Sequence, residues 1–191
     1  RIAEYDAKSG QATLQYDFQQ PEQALDFSYP NGTLAKAGDG WLKLTQPAIP
    51  VFHTSRFELD AFSGAFAIRT TGSGGGAAYR LKLGLPPALG LRFWNGVFEV
   101  MRLKSKDPGD DWADGILLHQ AKVPQPDGEQ RVLLRMENGR LEVSLNGTPC
   151  LSSTEPLALP GHRIQWSSVR APTLEIRELS IRGAPEKRWL Q

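Results

Sequence analysis

Residues 132–151, with the sequence VLLRMENGRLEVSLNGTPCL, decide the fold class. Apolar residues occupy every second position on either side of Asn138-Gly139; they are Val132, Leu134 and Met136 before the pair, and Leu141, Val143 and Leu145 after it. This period of two is typical of strands that bury one face. Asn-Gly favours a two-residue type I′ turn, because both central residues need positive φ. Since a second Asn-Gly pair stands at 146–147, the segment predicts a three-stranded antiparallel meander.

Short strands separated by turns are predicted along the rest of the chain as well. Its 19 glycines and 14 prolines are spread from end to end, which leaves no convincing amphipathic helix. Asn95-Gly96 predicts a second hairpin that joins residues 89–94 to residues 97–103. The repeated turn signals favour a single all-β sandwich.

The last predicted strand changes its side-chain parity part-way along. Leu174 and Ile176 share one parity, whereas Leu179 and Ile181 share the other. Because side chains alternate strictly in a regular strand, the change requires one extra residue. We therefore predict a β-bulge at Arg177-Glu178.

The predicted domain organisation has three parts. Residues 1–24 form an N-terminal extension, either an edge strand or a short helix, residues 25–184 form the sandwich, and residues 185–191 form a tail. The chain opens on Arg1-Ile2-Ala3-Glu4, without methionine or signal peptide, and is therefore expected to be a processed product or an excised piece.

Composition narrows the range of partners. The 191 residues include 21 acidic and 22 basic ones. A nucleic-acid binder usually shows a basic excess or a basic face, so no nucleic-acid partner is expected. Apolar runs are too short to span a bilayer, so no membrane insertion is expected. Cys150 stands alone and is expected to be a small apolar strand residue. The sequence leaves the oligomeric state open.

Several segments, in order, resemble the bacterial 3-keto-disaccharide hydrolase-type domains of the concanavalin A-like lectin/glucanase superfamily. The matching stretches are GWLKL at 40–44, FSGAFAIR at 62–69, EVMRL at 99–103, NGRLEVSLNG at 138–147 and LEIRELSIR at 174–182. The resemblance covers residues 25–183. It implies an all-β fold, a two-sheet antiparallel jelly-roll sandwich of the laminin G-like kind.

The same resemblance implies an activity on modified disaccharides, but the family's polar positions are replaced here. Gly74 and Gly75 stand where the family has Asn and Ser, and Met101 stands where it has Gln. The laminarinase-like relatives place Glu-x-Asp-x-Glu on one strand, whereas Glu58-x-Asp60 is followed by Phe62. Because glycoside hydrolysis needs two flanking carboxylates, the chain is expected not to be a catalyst of this type.

Two loops are candidates for a specific role: the glycine-rich residues 72–76 and the acidic residues 106–114. The acidic loop supplies hard oxygen ligands that suit Ca²⁺; they are Asp107, Asp110, Asp111 and Asp114. The alternative is a solvated turn that protects a sheet edge. No histidine pair has a zinc-ligand spacing.

A sugar site is predicted around two tryptophans, because aromatic faces pack on sugar CH groups while polar groups bind the hydroxyls. Trp112 lies among aspartates and is expected to be exposed. Trp94 adjoins the turn at 95–96, with burial in the core as its alternative. The other predicted ligand-binding residues are Tyr79, Arg80 and Glu99.

Three functions therefore stay open at this point. The first is a non-catalytic binding module of an exported or cell-surface bacterial protein, located in the periplasm or on the surface, that recognises a glycan or a protein. The second is a glycoside-processing hydrolase or lyase, which the resemblance implies. The third is a structural spacer without a ligand. A likeness of fold does not by itself choose between them.

Overall fold

The computed structural model describes residues 2–28, 35–45, 51–53, 57–71, 78–84, 87–94, 96–104, 112, 115–123, 128–153, 156–157, 163–169 and 173–185. The glycine-rich loop at 72–76, the four aspartates at 107–114 and the end of the predicted tail lie outside the described residues.

Most of the described residues lie in strands. The first eight strands are β1 (Ile2–Asp6), β2 (Gln11–Tyr16), β3 (Phe27–Ser28), β4 (Ala35–Gly38), β5 (Trp41–Thr45), β6 (Val51–His53), β7 (Phe57–Thr71) and β8 (Ala78–Leu83). The other eight are β9 (Ala88–Trp94), β10 (Val97–Leu103), β11 (Ile116–Lys122), β12 (Gln130–Glu137), β13 (Arg140–Leu145), β14 (Thr148–Ser152), β15 (Ile164–Val169) and β16 (Thr173–Pro185). A short 3₁₀ helix spans Pro21–Asp26. This part of the chain contains no helix with the length and apolarity to cross a membrane.

The strands form two antiparallel sheets. One sheet has nine strands in the order β1-β2-β16-β7-β12-β13-β14, with β5 paired to β16 and β4 paired to β5. The other has seven strands in the order β11-β10-β9-β8-β15-β6-β3. Several paired strands, such as β2 and β16, lie far apart in the sequence, as in a jelly roll. The predicted two-sheet antiparallel sandwich is confirmed.

The predicted meander is β12-β13-β14. Asn138 and Asn146 both have positive φ, at 51° and 50°, and each precedes a glycine that also has positive φ. Val132 pairs with Leu145 and Met136 pairs with Leu141, so the alternating apolar residues lie on one face. The Asn-Gly turns therefore set the register, and the prediction is confirmed.

The predicted bulge in the last strand is also confirmed. Arg177 pairs with Ala67 of β7, but Ser180 pairs with Ala65, so β16 contains one more residue than β7 across this interval. Glu178 takes up the irregularity with φ of 51°. As a result Ile176 and Leu179 both point into the core, although two residues, and not one, lie between them.

The core lies between the two sheets. Its largest buried side chains come from both of them: Leu14, Leu42, Leu44, Phe57 and Ile68 from the nine-stranded sheet, and Phe27, Leu81, Leu83, Leu89, Phe98 and Trp166 from the seven-stranded sheet. Trp166 is 1% exposed and contacts the rings of Phe27 and Phe66. Residues of opposite parity are thereby left on the outer faces of the sandwich.

Candidate functional site

The outer face of the seven-stranded sheet carries a row of polar side chains. Strand register places one residue from each of five adjacent strands directly opposite the next: Ser167 (β15), Arg80 (β8), Arg92 (β9), Glu99 (β10) and Gln120 (β11). We call these five residues the polar row. Since neighbouring strands lie about 4.8 Å apart, the row spans about 19 Å across the sheet.

Glu99 is the centre of the hydrogen bonding in this row. Its Oε2 accepts from Arg92 Nε at 2.6 Å and lies 2.5 Å from Arg92 Nη2. Its Oε1 accepts from Gln120 Nε2 at 3.1 Å. The Glu99 side chain is 7% exposed, whereas the Arg92 side chain is 23% exposed. The buried carboxylate therefore fixes a guanidinium whose outer edge still reaches solvent.

Trp94 stands beside the row on the same face. Arg92 and Trp94 are two residues apart on β9, so their side chains point the same way. The Arg92 Cζ lies 5.1 Å from the indole centroid, within the range of a cation–π contact. Trp94 is 37% exposed, so the alternative that it is a core residue is excluded. It offers a flat apolar surface next to fixed hydrogen-bonding groups.

Trp112 lies on this face too, but it is buried. It is 8% exposed and forms a small cluster with Ala88, Met101 and Leu103. The expectation that it is exposed is wrong, because its indole packs over Gly90, where the sheet has no side chain. A Cβ at Gly90 would stand 2.8 Å from Trp112 Cη2 and Cζ3. The polarity of the neighbouring aspartates gave no indication of this contact.

Trp112 nevertheless borders the polar row. The Arg80 Cζ lies 4.8 Å from the Trp112 ring centroid. Gly90 and Trp94 are four residues apart on β9, and Arg92 lies midway between them. The polar row therefore runs between two tryptophans, each with an arginine of the row against its ring.

Tyr79 does not lie on this face. It is 6% exposed, stacks on Phe93 at 4.5 Å in the core, and its hydroxyl donates to Gln130 Oε1. Burial raises the pKa of the Tyr79 hydroxyl well above its ordinary value. Its place in the predicted ligand-binding set is wrong, because adjacent residues of a strand point to opposite faces and Arg80 points outward.

The structure thus brings together Trp94, Arg80 and Glu99 of the predicted set and places Trp112 at the border. It adds Arg92 and Gln120, which the sequence analysis missed. Arg92 could have been found from the sequence, because a two-residue turn at 95–96 pairs residue 92 with residue 99. The calcium prediction for Asp107, Asp110, Asp111 and Asp114 lies outside the described residues.

We expect Gly90→Ala to destabilise the protein by about 1–3 kcal/mol, because the new methyl group must displace the Trp112 indole. The matched control is Gly38→Ala, since a Cβ at Gly38 meets nothing within 4 Å. There the loss of glycine flexibility should leave stability unchanged or raise it by about 0.5–1 kcal/mol. Urea denaturation measures both variants. Equal stabilities for the two would contradict the packing of the Trp112 indole over Gly90.

Comparison with known proteins agrees with the fold. No protein-family model matches the chain, and no curated protein matches its sequence. Among solved structures, a protein of unknown function with a galectin-like fold from Bacillus subtilis superposes with a TM-score of 0.63 at 13% identity, over 88% of this chain and 94% of that one. The chain therefore shares the two-sheet antiparallel fold of that galectin-like structure. The 3-keto-disaccharide hydrolase subtype stays a prediction.

Two further solved structures that share this fold are carbohydrate-binding modules. The CBM2 module of the evolved Dit protein of Lactobacillus casei BL23 phage J-1 has a TM-score of 0.60 at 12% identity, over 90% of this chain and 96% of that one. Carbohydrate binding module CBM66 from Bacillus subtilis has a TM-score of 0.54 at 12% identity, over 81% of this chain and 93% of that one. At identities this low, the superpositions establish a shared fold and nothing further.

Proposed function

We propose that the chain is a non-catalytic carbohydrate-binding module, and that its glycan ligand lies along the polar row against Trp94. The observation that carries the proposal is the exposed indole of Trp94 beside an arginine fixed by a buried carboxylate. Sugars offer CH faces and hydroxyl groups to bind, and this surface supplies an aromatic plane, guanidinium donors and an amide on neighbouring strands.

Catalysis is the weaker interpretation of the same surface. A glycosidase needs two carboxylates that flank the scissile bond. Among the described residues of the polar row Glu99 is the single carboxylate, and Arg92 and Gln120 already occupy its oxygens. A carboxylate whose two oxygens are engaged by neighbouring side chains is poorly placed to contact a scissile bond. Binding without turnover fits these contacts better than hydrolysis.

The likeness to two carbohydrate-binding modules supports the proposed class of ligand. We further propose that the chain is part of an exported or cell-surface bacterial protein, where it meets external glycans. Two alternatives are tested against this proposal: a module that recognises a protein, and a structural spacer without a ligand.

We expect Trp94→Ala to weaken glycan binding at least tenfold, which corresponds to about 1.4 kcal/mol of lost contact with the indole. Binding is measured first on a glycan array and then by calorimetry with the best ligand. The control is Trp41→Ala, because Trp41 is a half-buried tryptophan on the outer face of the other sheet, with Arg69 Cζ 3.8 Å from its centroid. This control should bind like the native chain.

Two results would count against the proposal. Native affinity in Trp94→Ala would remove this face as the binding site, and a blank array for the native chain would favour the spacer. The array is run with CaCl₂ and with EDTA, so that the calcium site proposed at Asp107, Asp110, Asp111 and Asp114 is tested in the same experiment. A loss of binding in EDTA would support that site.

A further inference from the structure

Backbone strain points to a second surface, on the nine-stranded sheet. Within the described residues, the non-glycine residues with positive φ are Phe18, Asp39, Asn138, Asn146 and Glu178. Three of them are Asp or Asn followed by glycine in a tight turn, where this conformation is ordinary. Phe18 and Glu178 are residue types that rarely adopt it.

Glu178 lines a groove on this sheet together with Asp17, the residue that precedes Phe18. The groove runs between the end of β2, the 3₁₀ helix and the bulge of β16, and its polar lining consists of Gln15, Asp17, Gln23, Glu178 and Ser180. Phe18 follows Asp17 directly and is fully buried, so core packing against Tyr16 compensates its strain. The strain at Glu178 has no such compensation, because its side chain is 51% exposed.

The bulge explains why a positive φ is needed at position 178 but not why a glutamate occupies it. Glycine or asparagine would adopt this conformation at lower cost. The ion pair that Glu178 forms with Arg131, at 3.0 Å, joins two side chains that are both more than half exposed. Such pairs stabilise a fold very little. Glu178 also lies 3.9 Å from Arg177, a second pair that is largely exposed. A strained backbone that only exposed ion pairs accompany is an observation from which a function can be inferred.

The polar groups of the groove suit a hydroxyl-rich ligand. Arg131 balances Glu178, and Asp17 accepts from the Gln19 backbone N–H at 3.2 Å. The Gln19 N–H and the Gln23 side chain lower the pKa of Asp17, so it is an acceptor at neutral pH. The groove therefore presents carboxylate acceptors, amide groups and one hydroxyl, and its carboxylate at Glu178 is already balanced by Arg131. These are groups that sugar hydroxyls can bind as donors and as acceptors.

We propose that this groove is a second saccharide contact, with Glu178 and Asp17 as acceptors for ligand hydroxyls and with Gln15 and Ser180 completing the hydrogen bonding. The saccharide class rests on the function proposed above, whereas the location rests on the groove itself. The two contacts lie on opposite sheets of the sandwich, so one module would hold two saccharide segments at once.

The test is an amide NMR titration of the full chain with cellohexaose, laminarihexaose, xylohexaose and chitohexaose, in the native sequence and in Trp94→Ala. We expect at least one probe to shift the amides of Gln15, Asp17, Glu178 and Ser180 in both proteins. Shifts confined to the Trp94 face would overturn the second contact and leave the proposed function standing. Shifts confined to the groove would overturn the proposed site at Trp94 and support the second contact. The absence of any shift would overturn both.

Glu178→Asn separates a ligand contact from a structural one. Asparagine tolerates the left-handed backbone, so we expect Tm to rise by about 2–4 °C while groove affinity falls at least fivefold. The matched control is Glu137→Asn, because Glu137 is an exposed strand glutamate paired with Arg135 at 2.6 Å. It should neither raise Tm nor alter the groove shifts. Unchanged groove affinity in Glu178→Asn would overturn the role of Glu178.

Discussion

Glu99→Ala is expected to weaken glycan binding about a hundredfold and to destabilise the fold by about 2–3 kcal/mol. Breaking a fully buried ion pair costs about 3–5 kcal/mol, because one charge is left without its partner. Because 23% of the Arg92 side chain is exposed, hydration of its charge offsets part of the lost free energy. The arginine would also lose the two contacts that hold it beside Trp94. We expect the affinity to fall about a hundredfold, or about 2.7 kcal/mol.

The control for this prediction is Glu137→Ala. Its ion pair with Arg135 has nearly the same length, 2.6 Å against 2.5 Å, but both side chains are 60% exposed. Exposed pairs contribute about 0–1 kcal/mol, so this variant should be nearly as stable as the native chain. Urea denaturation and calorimetry measure the two variants side by side. Equal losses of stability in the two variants would show that the burial of Glu99 does not determine how much its ion pair stabilises the fold.

Trp166→Ala is expected to have the largest effect on folding, about 3–5 kcal/mol. The side chain is 1% exposed and lies between Phe27 and Phe66, which come from different sheets. Removing it leaves a cavity at the contact between the sheets, and a domain of marginal stability would then be partly unfolded at about 37 °C. Thermal denaturation followed by circular dichroism measures the loss.

Trp166→Phe separates the cavity from the loss of the polar group. The Trp166 Nε1 atom has no hydrogen-bond partner within the described part of the chain. Phenylalanine therefore removes no hydrogen bond and should cost only about 1–2 kcal/mol. A loss as large as that of the alanine variant would indicate a contact at Nε1. Trp94→Ala is the surface comparison and should change stability by less than about 1 kcal/mol.

The sequence predicted the fold because local and long-range signals agree in it. Asn138 and Asn146 take the positive φ that their turns require, and the alternating residues between them then face one way. The parity change between Ile176 and Leu179 likewise located the bulge of β16. Such features depend on the period of the strand and on turn chemistry alone, which a sequence displays in full.

The candidate site was harder to predict, because it depends on which strands are neighbours. The pair Arg92–Glu99 follows from a two-residue turn, so it was available in principle. The contact of Gln120 with Glu99 was not, because β10 and β11 pair through a register shift between Val100 and Met101. The burial of Trp112 required knowledge of Gly90, which is far from it in sequence but directly beneath it in the fold.

The bulge at Glu178 is equivalent to a one-residue insertion. Without that residue, the strand would read Leu-Glu-Ile-Arg-Leu-Ser-Ile, in which Leu174 and Ile176 have the same parity as the two apolar residues that follow. Such a strand would alternate without a break over this stretch, and it would pair with β7 without the first of its two register shifts. The hydrophobic core therefore does not demand position 178. Position 178 can therefore be deleted or substituted, by evolution or by protein engineering, to change the outer face of the nine-stranded sheet while the sandwich beneath it stays the same.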